Sequence, residues 1–197
     1  MSELSLINIS DVSTLKIDTN EVKRYLKIHK LNTQCETLIE ECKKEIYKVA
    51  APRAVYSNEC ILVRKEEVEF AFDNVVSKNL AKNLLGCRCA YIFCATLGIE
   101  VDRLIQKYAK IEPSKALVLD SVATTLIEEF CDYVNSILVN GKCSCPRFSA
   151  GYGDYSIEHQ KDLLKTLDAT RKIGVSLTDS FMMTPSKTVT AVIGIKE

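Results

Sequence analysis

Between Pro113 and the pair Asn140-Gly141 the chain reads "SKALVLDSVATTLIEEFCDYVNSILV", with neither glycine nor proline to interrupt it. Leu119, Val122, Ala123, Leu126, Phe130, Val134, Ile137 and Leu138 recur there at the helical period. Proline suits a first helical turn, so the segment predicts one long helix opening at Pro113 and closing at the Asn-Gly pair. Its apolar stripe has to be buried against other elements. Asp120, Thr124, Glu128 and Asp132 follow one another at four-residue steps and so share a different face.

The elements around this helix follow from the same rules. "DTNEVKRYLKI" begins with a cap-like Asp18 and has Glu21 three residues on, a capping-box spacing that predicts a short helix. From Asn32, apolar residues at Cys35, Leu38, Ile39, Cys42, Ile46, Val49 and Ala50 predict a helix that Pro52 stops. Val55, the run Ile61 to Val63, and the alternating Val68, Phe70 and Phe72 predict short strands. "SKNLAKNLLG" reads as a helix capped by Ser77 and closed by Gly86. "CAYIFCATLG" has the length and composition of a buried strand, with Gly98 leading into the helix "IEVDRLIQKYAK", and an amphipathic helix carries Leu163, Leu164 and Leu167. Two final strands, "VSLTDSFMM" and "TVTAVIGI", are expected to form a hairpin-like unit across Pro185 and Ser186. Helices and strands intersperse without strict alternation, which predicts an α+β fold with an antiparallel sheet and flanking helices. The expected organisation is one domain over residues 1–197, helical to about residue 50, with a loop and the hairpin from about residue 143.

Bulk composition excludes several function classes. Acidic and basic residues balance at 26 each, so net charge forecasts neither a nucleic-acid nor an anionic-membrane partner. The apolar run from Ala90 to Ile99 is half of what a bilayer-spanning helix needs, and "MSELSLINIS" lacks the basic start and apolar core of a signal peptide, which places the expected protein in the cytoplasm. Nine cysteines are harmless in a reducing compartment, and the close pairs "CRC" and "CSC" lack the Cys-x-x-Cys spacing of structural zinc and redox sites. Cys35, Cys42, Cys94 and Cys131 fall on apolar periodic positions and are read as small buried hydrophobes. Only His29 and His159 occur, both expected at the surface of helices, which argues against a zinc hydrolase or a Ser-His-acid triad. No Asp-x-His-x-x-Gly segment offers an axial ligand to cobalt, so the chain is not expected to carry cobalamin in that way.

"PRFSAGYGDYSIEHQ", Pro146 to Gln160, is the stretch with chemical content. A dinucleotide fingerprint needs a buried strand before its first glycine and a third glycine where Ser156 stands, and neither is present. Glu128 is either a solvated acid on the outer side of its helix or a carboxylate facing a ligand cation. Arg147 is either an exposed loop residue or, held between Pro146 and the Gly-Tyr turn, a clamp for a carboxylate.

Arg147 to Tyr152 form an Arg-x-x-x-Gly-Tyr motif, followed in order by Thr178-Asp179-Ser180, Pro185 and Val189 to Ala191. This series resembles the activation (reactivation) domain of cobalamin-dependent methionine synthase over roughly the last hundred residues, and the chain looks like a stand-alone version of it. The resemblance implies S-adenosylmethionine as ligand, with Arg147 on its carboxylate, Ala150, Gly151 and Tyr152 shaping the pocket, and Glu128 attracting the amine or sulfonium. It implies cobalamin carried by a partner, a cobalamin-dependent methionine synthase or another corrinoid protein. It also implies a flavodoxin-like or other low-potential electron donor, and a role as activation subunit that returns cob(II)alamin to methylcobalamin. The competing expectation is a docking module for a corrinoid protein that no longer binds S-adenosylmethionine. Methyl transfer from a sulfonium to cobalt moves no proton, so no general acid or base is expected.

Overall fold

The computed structural model describes residues 3–28 and 33–196. His29 and the first residue expected of the second helix, Asn32, lie outside them.

A six-stranded antiparallel sheet organises the molecule. Its middle is β2 (Arg53–Val63), which pairs with β5 (Cys87–Thr96), and β5 pairs in turn with β8 (Thr188–Lys196). β1 (Ser5–Asn8) lies along the first half of β2, and β3 (Glu67–Phe70) and β4 (Asn74–Val76) continue from its second half. The expected α+β class with an antiparallel sheet is the observed one.

Both faces of the sheet are covered. Alternation along β5 and β8 sends Phe93, Ala95, Ala191 and Ile193 into one core, shared with α1 (Thr19–Leu26), α2 (Thr33–Val49), α4 (Ile99–Ile111) and α5 (Pro113–Val139). Ile92, Cys94 and Val192 enter the opposite core with α3 (Lys78–Asn83), α6 (Gln160–Thr166) and α7 (Ala169–Ile173). Two-sided burial explains why β5 reads as a continuous apolar run.

Helix ends follow local chemistry closely. Asp18 accepts from the Asn20 N–H at the start of α1, and Ser77 accepts from the Leu80 N–H at the start of α3. α5 starts at Pro113 and ends at Asn140, which adopts the left-handed conformation (φ 44°). Seven of the eight stripe residues of α5 are buried, and Ile137 is the exposed one.

Four expectations change. Val55 and Ile61 to Val63 belong to one strand, because Ser57 and Glu59 between them are buried polar residues bonded to each other at 2.7 Å and break the apolar pattern without breaking the strand. Phe72 falls beyond the end of β3. The expected hairpin does not form: β6 (Ser176–Leu177) pairs with β7 (Met183–Thr184), while β8 joins the main sheet beside β5. The intervening residues Asp179, Ser180 and Met182 are exposed and cannot fill a position buried on both faces, as β8 is. The turn between β7 and β8 is tied instead to α4, where buried Asp102 accepts from the Ser186 N–H and hydroxyl, both at 2.7 Å. The first fifty residues, expected to be helical, also contribute β1.

Cys42, Cys94 and Cys131 are buried as expected, Cys35 is half-buried, and Cys87 and Cys145 are buried with their sulfurs 3.5 Å apart. Burial pushes the Cys42 and Cys131 thiols up to about 12. Because the thiolate is the nucleophile, an alkylating reagent on native protein is expected to modify exposed Cys60 and Cys143 first. Cys42, Cys94 and Cys131 should react only after unfolding, as peptide mapping would show.

Candidate functional site

The polar line on α5 meets two cations. Lys187 Nζ, just before β8, lies 2.7 Å from Asp120 Oδ1 and donates to Thr124 Oγ1 at 2.9 Å. Arg147 Nη2 lies 3.2 Å from Glu128 Oε2 and 3.0 Å from Asp132 Oδ1. Lys187 and Arg147 side chains are 13% and 23% exposed, so each aliphatic stem is packed while its charge serves the helix.

Arg147 is delivered by the chain that covers the outer edge of β8. Cys145 N–H donates to Gly194 O, and Phe148 exchanges both backbone bonds with Val192, at 3.0 and 2.8 Å. Neighbouring residues of extended chain point opposite ways. Arg147 therefore reaches α5 on one side of the sheet, while Phe148 packs into the core on the other.

Next to Arg147, a cleft of about 280 Å³ opens between α1 and α5, lined by Asp18, Glu21, Arg24, Tyr25, Thr125, Glu128, Glu129 and Asp132. The one cation in this lining, Arg24, is engaged: it pairs with Glu21 at 2.7 Å and stacks 4.4 Å over the Tyr25 ring. The cleft is thus rich in carboxylates. Arg147 Nη1 is buried and has no hydrogen-bond partner among the described residues. A buried guanidinium nitrogen left unbonded is a costly arrangement that a ligand acceptor would relieve.

The rest of the motif forms a tight turn. Ala150 is buried. The Gly151 N–H donates to Tyr155 O at 2.7 Å, Tyr152 N–H to Ser149 O, and Tyr155 N–H to Tyr152 O. Gly151 has φ 90°, where side chains are strained, although a Cβ there would meet only Ile157 at ordinary contact distance. Gly153 is constrained twice, by φ 60° and by Asn79 Nδ2, which would lie 2.5 Å from an added Cβ. Gly153→Ala is expected to cost roughly 1–2 kcal/mol from the backbone conformation alone, seen as a lowered midpoint in thermal unfolding.

Tyr152 is 69% exposed and stands edge-on to Phe148, ring centroids 5.5 Å apart. It lines a separate cleft of about 440 Å³ with Asn79, Lys82, Asn83, Phe148 and Gly153. Of the five residues the sequence singled out, Glu128 and Arg147 are brought together; Ala150 is buried in the core, Gly151 is bonded within its own turn, and the Tyr152 ring projects toward α3. Asp132, which shares Arg147 with Glu128, was visible only as the next member of the polar line on α5. Glu129 stood out only as the acid adjacent to Glu128, and nothing in the sequence pointed to the α1 side of the cleft.

His159 departs from its expected surface position. It is half-buried, with Nδ1 2.5 Å from Asp73 Oδ2 and its ring 5.4 Å from that of buried Tyr155, because the turn folds it back against the end of β3. Asp73, His159 and Asp162 bring one ligand atom each within 4.8 Å of one another. The direct Asp73–His159 contact explains that grouping as a tie between two turns.

Among the described residues no helix is long and apolar enough to cross a membrane. No curated protein matches the sequence. Residues 135–197 match the family model described as vitamin B12 dependent methionine synthase, activation domain. Among solved structures, the MetH reactivation domain bound to AdoHcy is similar at a TM-score of 0.74 and 15% identity, over 98% of this chain and 78% of that one. The sheet covered on both faces is therefore the fold of a methionine synthase reactivation domain, and the segment that delivers Arg147 to α5 lies within the stretch carrying that family's sequence signature.

Proposed function

We propose that the protein binds S-adenosylmethionine beside Arg147 and supports reductive methylation of cob(II)alamin on a corrinoid partner, a cobalamin-dependent methionine synthase. The observation that carries this reading is Arg147, whose Nη1 is buried without a hydrogen-bond partner among the described residues and whose Nη2 contacts Glu128 and Asp132, two acids of the cleft lining. The ligand is a zwitterion with an additional sulfonium, and the residues present fit it. Arg147 would take its carboxylate, and Glu128, Glu129 and Asp132 would favour its amine and sulfonium through opposite charge. A related fold holding AdoHcy supports the same assignment.

When bound, S-adenosylmethionine supplies an electrophilic methyl group. The chain's task is to orient the ligand and to keep the anchoring charges partly dry, where they act more strongly. None of its residues has to hold or move a proton. Cobalamin resides on the partner, and a flavodoxin-like or other low-potential donor supplies the electron.

The competing reading, a docking module that has given up the ligand, is favoured by one observation: Glu128 and Asp132 already satisfy Arg147 Nη2 internally. Reactivation assays separate the two. Purified protein, an inactive corrinoid partner, a reductant and S-adenosylmethionine should restore the methylcobalamin spectrum with wild type and not with Arg147→Ala. Equal recovery with both would support the docking module, and no recovery with wild type would reject the reactivation role.

A further inference from the structure

The turn that follows Arg147 is docked on α3 through one carboxylate. Asp154 Oδ1 accepts from the Ser77 hydroxyl and, at 3.2 Å, from the Asn79 N–H, and Oδ2 accepts from the Lys78 N–H at 2.9 Å. Ser77 Oγ itself accepts from the Leu80 N–H at 3.0 Å, so the hydroxyl is oriented with its proton toward Asp154. Three donors from the first turn of α3 converge on a residue about 75 positions later in the chain. Two neighbouring contacts mark the same docking surface: Gly153 lies against Asn79, and Asn83 Nδ2 donates to Pro146 O at 3.2 Å.

The two ends of the loop are therefore held by different means. Its Arg147 end is fixed by the backbone bridge from Phe148 to Val192. Beyond it, Ala150 and Tyr155 are buried in the core, but the exposed residues between them, 151–154, are held by the turn's own bonds and by the contacts of Gly153 and Asp154 with α3, and include two glycines at positive φ. An exposed, glycine-containing tip of this kind samples several conformations unless it is anchored, and ordering it is an entropic cost that a prior anchor removes.

We propose that Asp154 is a positioning residue of the ligand site, fixing residues 149–155 on α3 and thereby setting Gly151 and Tyr152 relative to Arg147. The proposal rests on the assignment of this loop to S-adenosylmethionine. Ionisation is intrinsic to the role. A carboxylate offers acceptors on both oxygens, whereas an amide at this position would turn an N–H₂ toward one of the three donors. The Ser77 hydroxyl bond, opposed by desolvation and helped by the Asn79 and Lys78 N–H bonds, holds the Asp154 carboxyl below the usual carboxylate range.

The test uses the full chain with Asp154→Asn, Asp154→Ala and Ser77→Ala. Amide hydrogen exchange and S-adenosylmethionine titration are measured on each. Both Asp154 variants are expected to lose protection at Gly151, Tyr155, Lys78 and Asn79 while α5 and β5 stay protected, and to bind the ligand about tenfold more weakly, the order expected for losing one charge-assisted bond set. Ser77→Ala should fall between them and wild type. The conservative Asn variant keeps the experiment decisive should alanine fail to fold. Unchanged protection at 149–155 in both Asp154 variants overturns the proposal, and so does unchanged affinity in a variant whose loop has lost protection. Absence of binding by wild type rejects the ligand assignment and the affinity half of the proposal with it, while the exchange pattern still decides whether Asp154 anchors the turn.

Discussion

Arg147→Ala is expected to weaken S-adenosylmethionine binding by about a hundredfold or more, since truncating one partner of a partly buried charge pair typically costs 2–5 kcal/mol. Two losses combine. The ligand carboxylate loses its charged donor. Glu128 and Asp132, released from Nη2, gain an uncompensated negative field that repels the same carboxylate. Arg147→Lys should recover only part of the loss, because an ammonium cannot present a planar fork to several oxygens at once. The fold should tolerate both changes. The Glu128 and Asp132 side chains are 48% and 70% exposed, and pairs of that kind contribute about 0–1 kcal/mol to stability. Isothermal titration alongside thermal unfolding checks this: affinity should collapse while the unfolding midpoint barely moves. A midpoint that falls as steeply as the affinity would show that Arg147 is a structural strut and sink its assignment as the ligand clamp.

Phe130→Ala is expected to be the most destabilising of the substitutions considered, by about 3–5 kcal/mol. Phe130 is fully buried on the α5 stripe, in the core shared by α1, α2, α4 and the sheet. That loss is a large share of the roughly 5–15 kcal/mol by which a domain is stable. A urea titration should show a lower midpoint with little change in slope, and a midpoint within about 0.5 kcal/mol of wild type, the usual range for a surface change, would contradict the packing described. Ligand affinity should fall as well, because α5 carries Glu128, Glu129 and Asp132 on its other sides and any shift of its axis moves them together. This separates the two predictions experimentally. Arg147 acts on affinity alone, and Phe130 acts on stability first.

Much of the polar site was legible at the level of one helix. The four-residue steps of Asp120, Thr124, Glu128 and Asp132 placed these oxygens on one line, and the structure keeps them there. What meets that line was not legible. Lys187 and Arg147 arrive from segments whose own patterns say nothing about α5, and α1 closes the cleft with Asp18 and Glu21, read in the sequence only as a cap and its capping-box companion. The Arg-x-x-x-Gly-Tyr motif identified the loop but not that its residues divide across the sheet, with Arg147 on the α5 side and Phe148 and Tyr152 toward α3.

The sequence alone determined the features that neighbouring residues settle among themselves. Pro113 and Asn140 bound α5, Asp18 and Ser77 cap α1 and α3, and a two-sided apolar run makes β5, because caps and periodicity act within a few positions of each residue. Tertiary structure decided the pairings between distant segments. β8 pairs with β5 rather than forming a hairpin with the segment before it, Ser57 and Glu59 bond to each other inside β2, and Asp102 holds Ser186 across 84 residues of chain. The same holds for Arg147 on Glu128, 19 residues apart, and for Asp154 on α3. Such contacts depend on which surfaces are left to be buried, and which charges left to be matched, once the whole sheet is covered; no local window of the sequence contains that information.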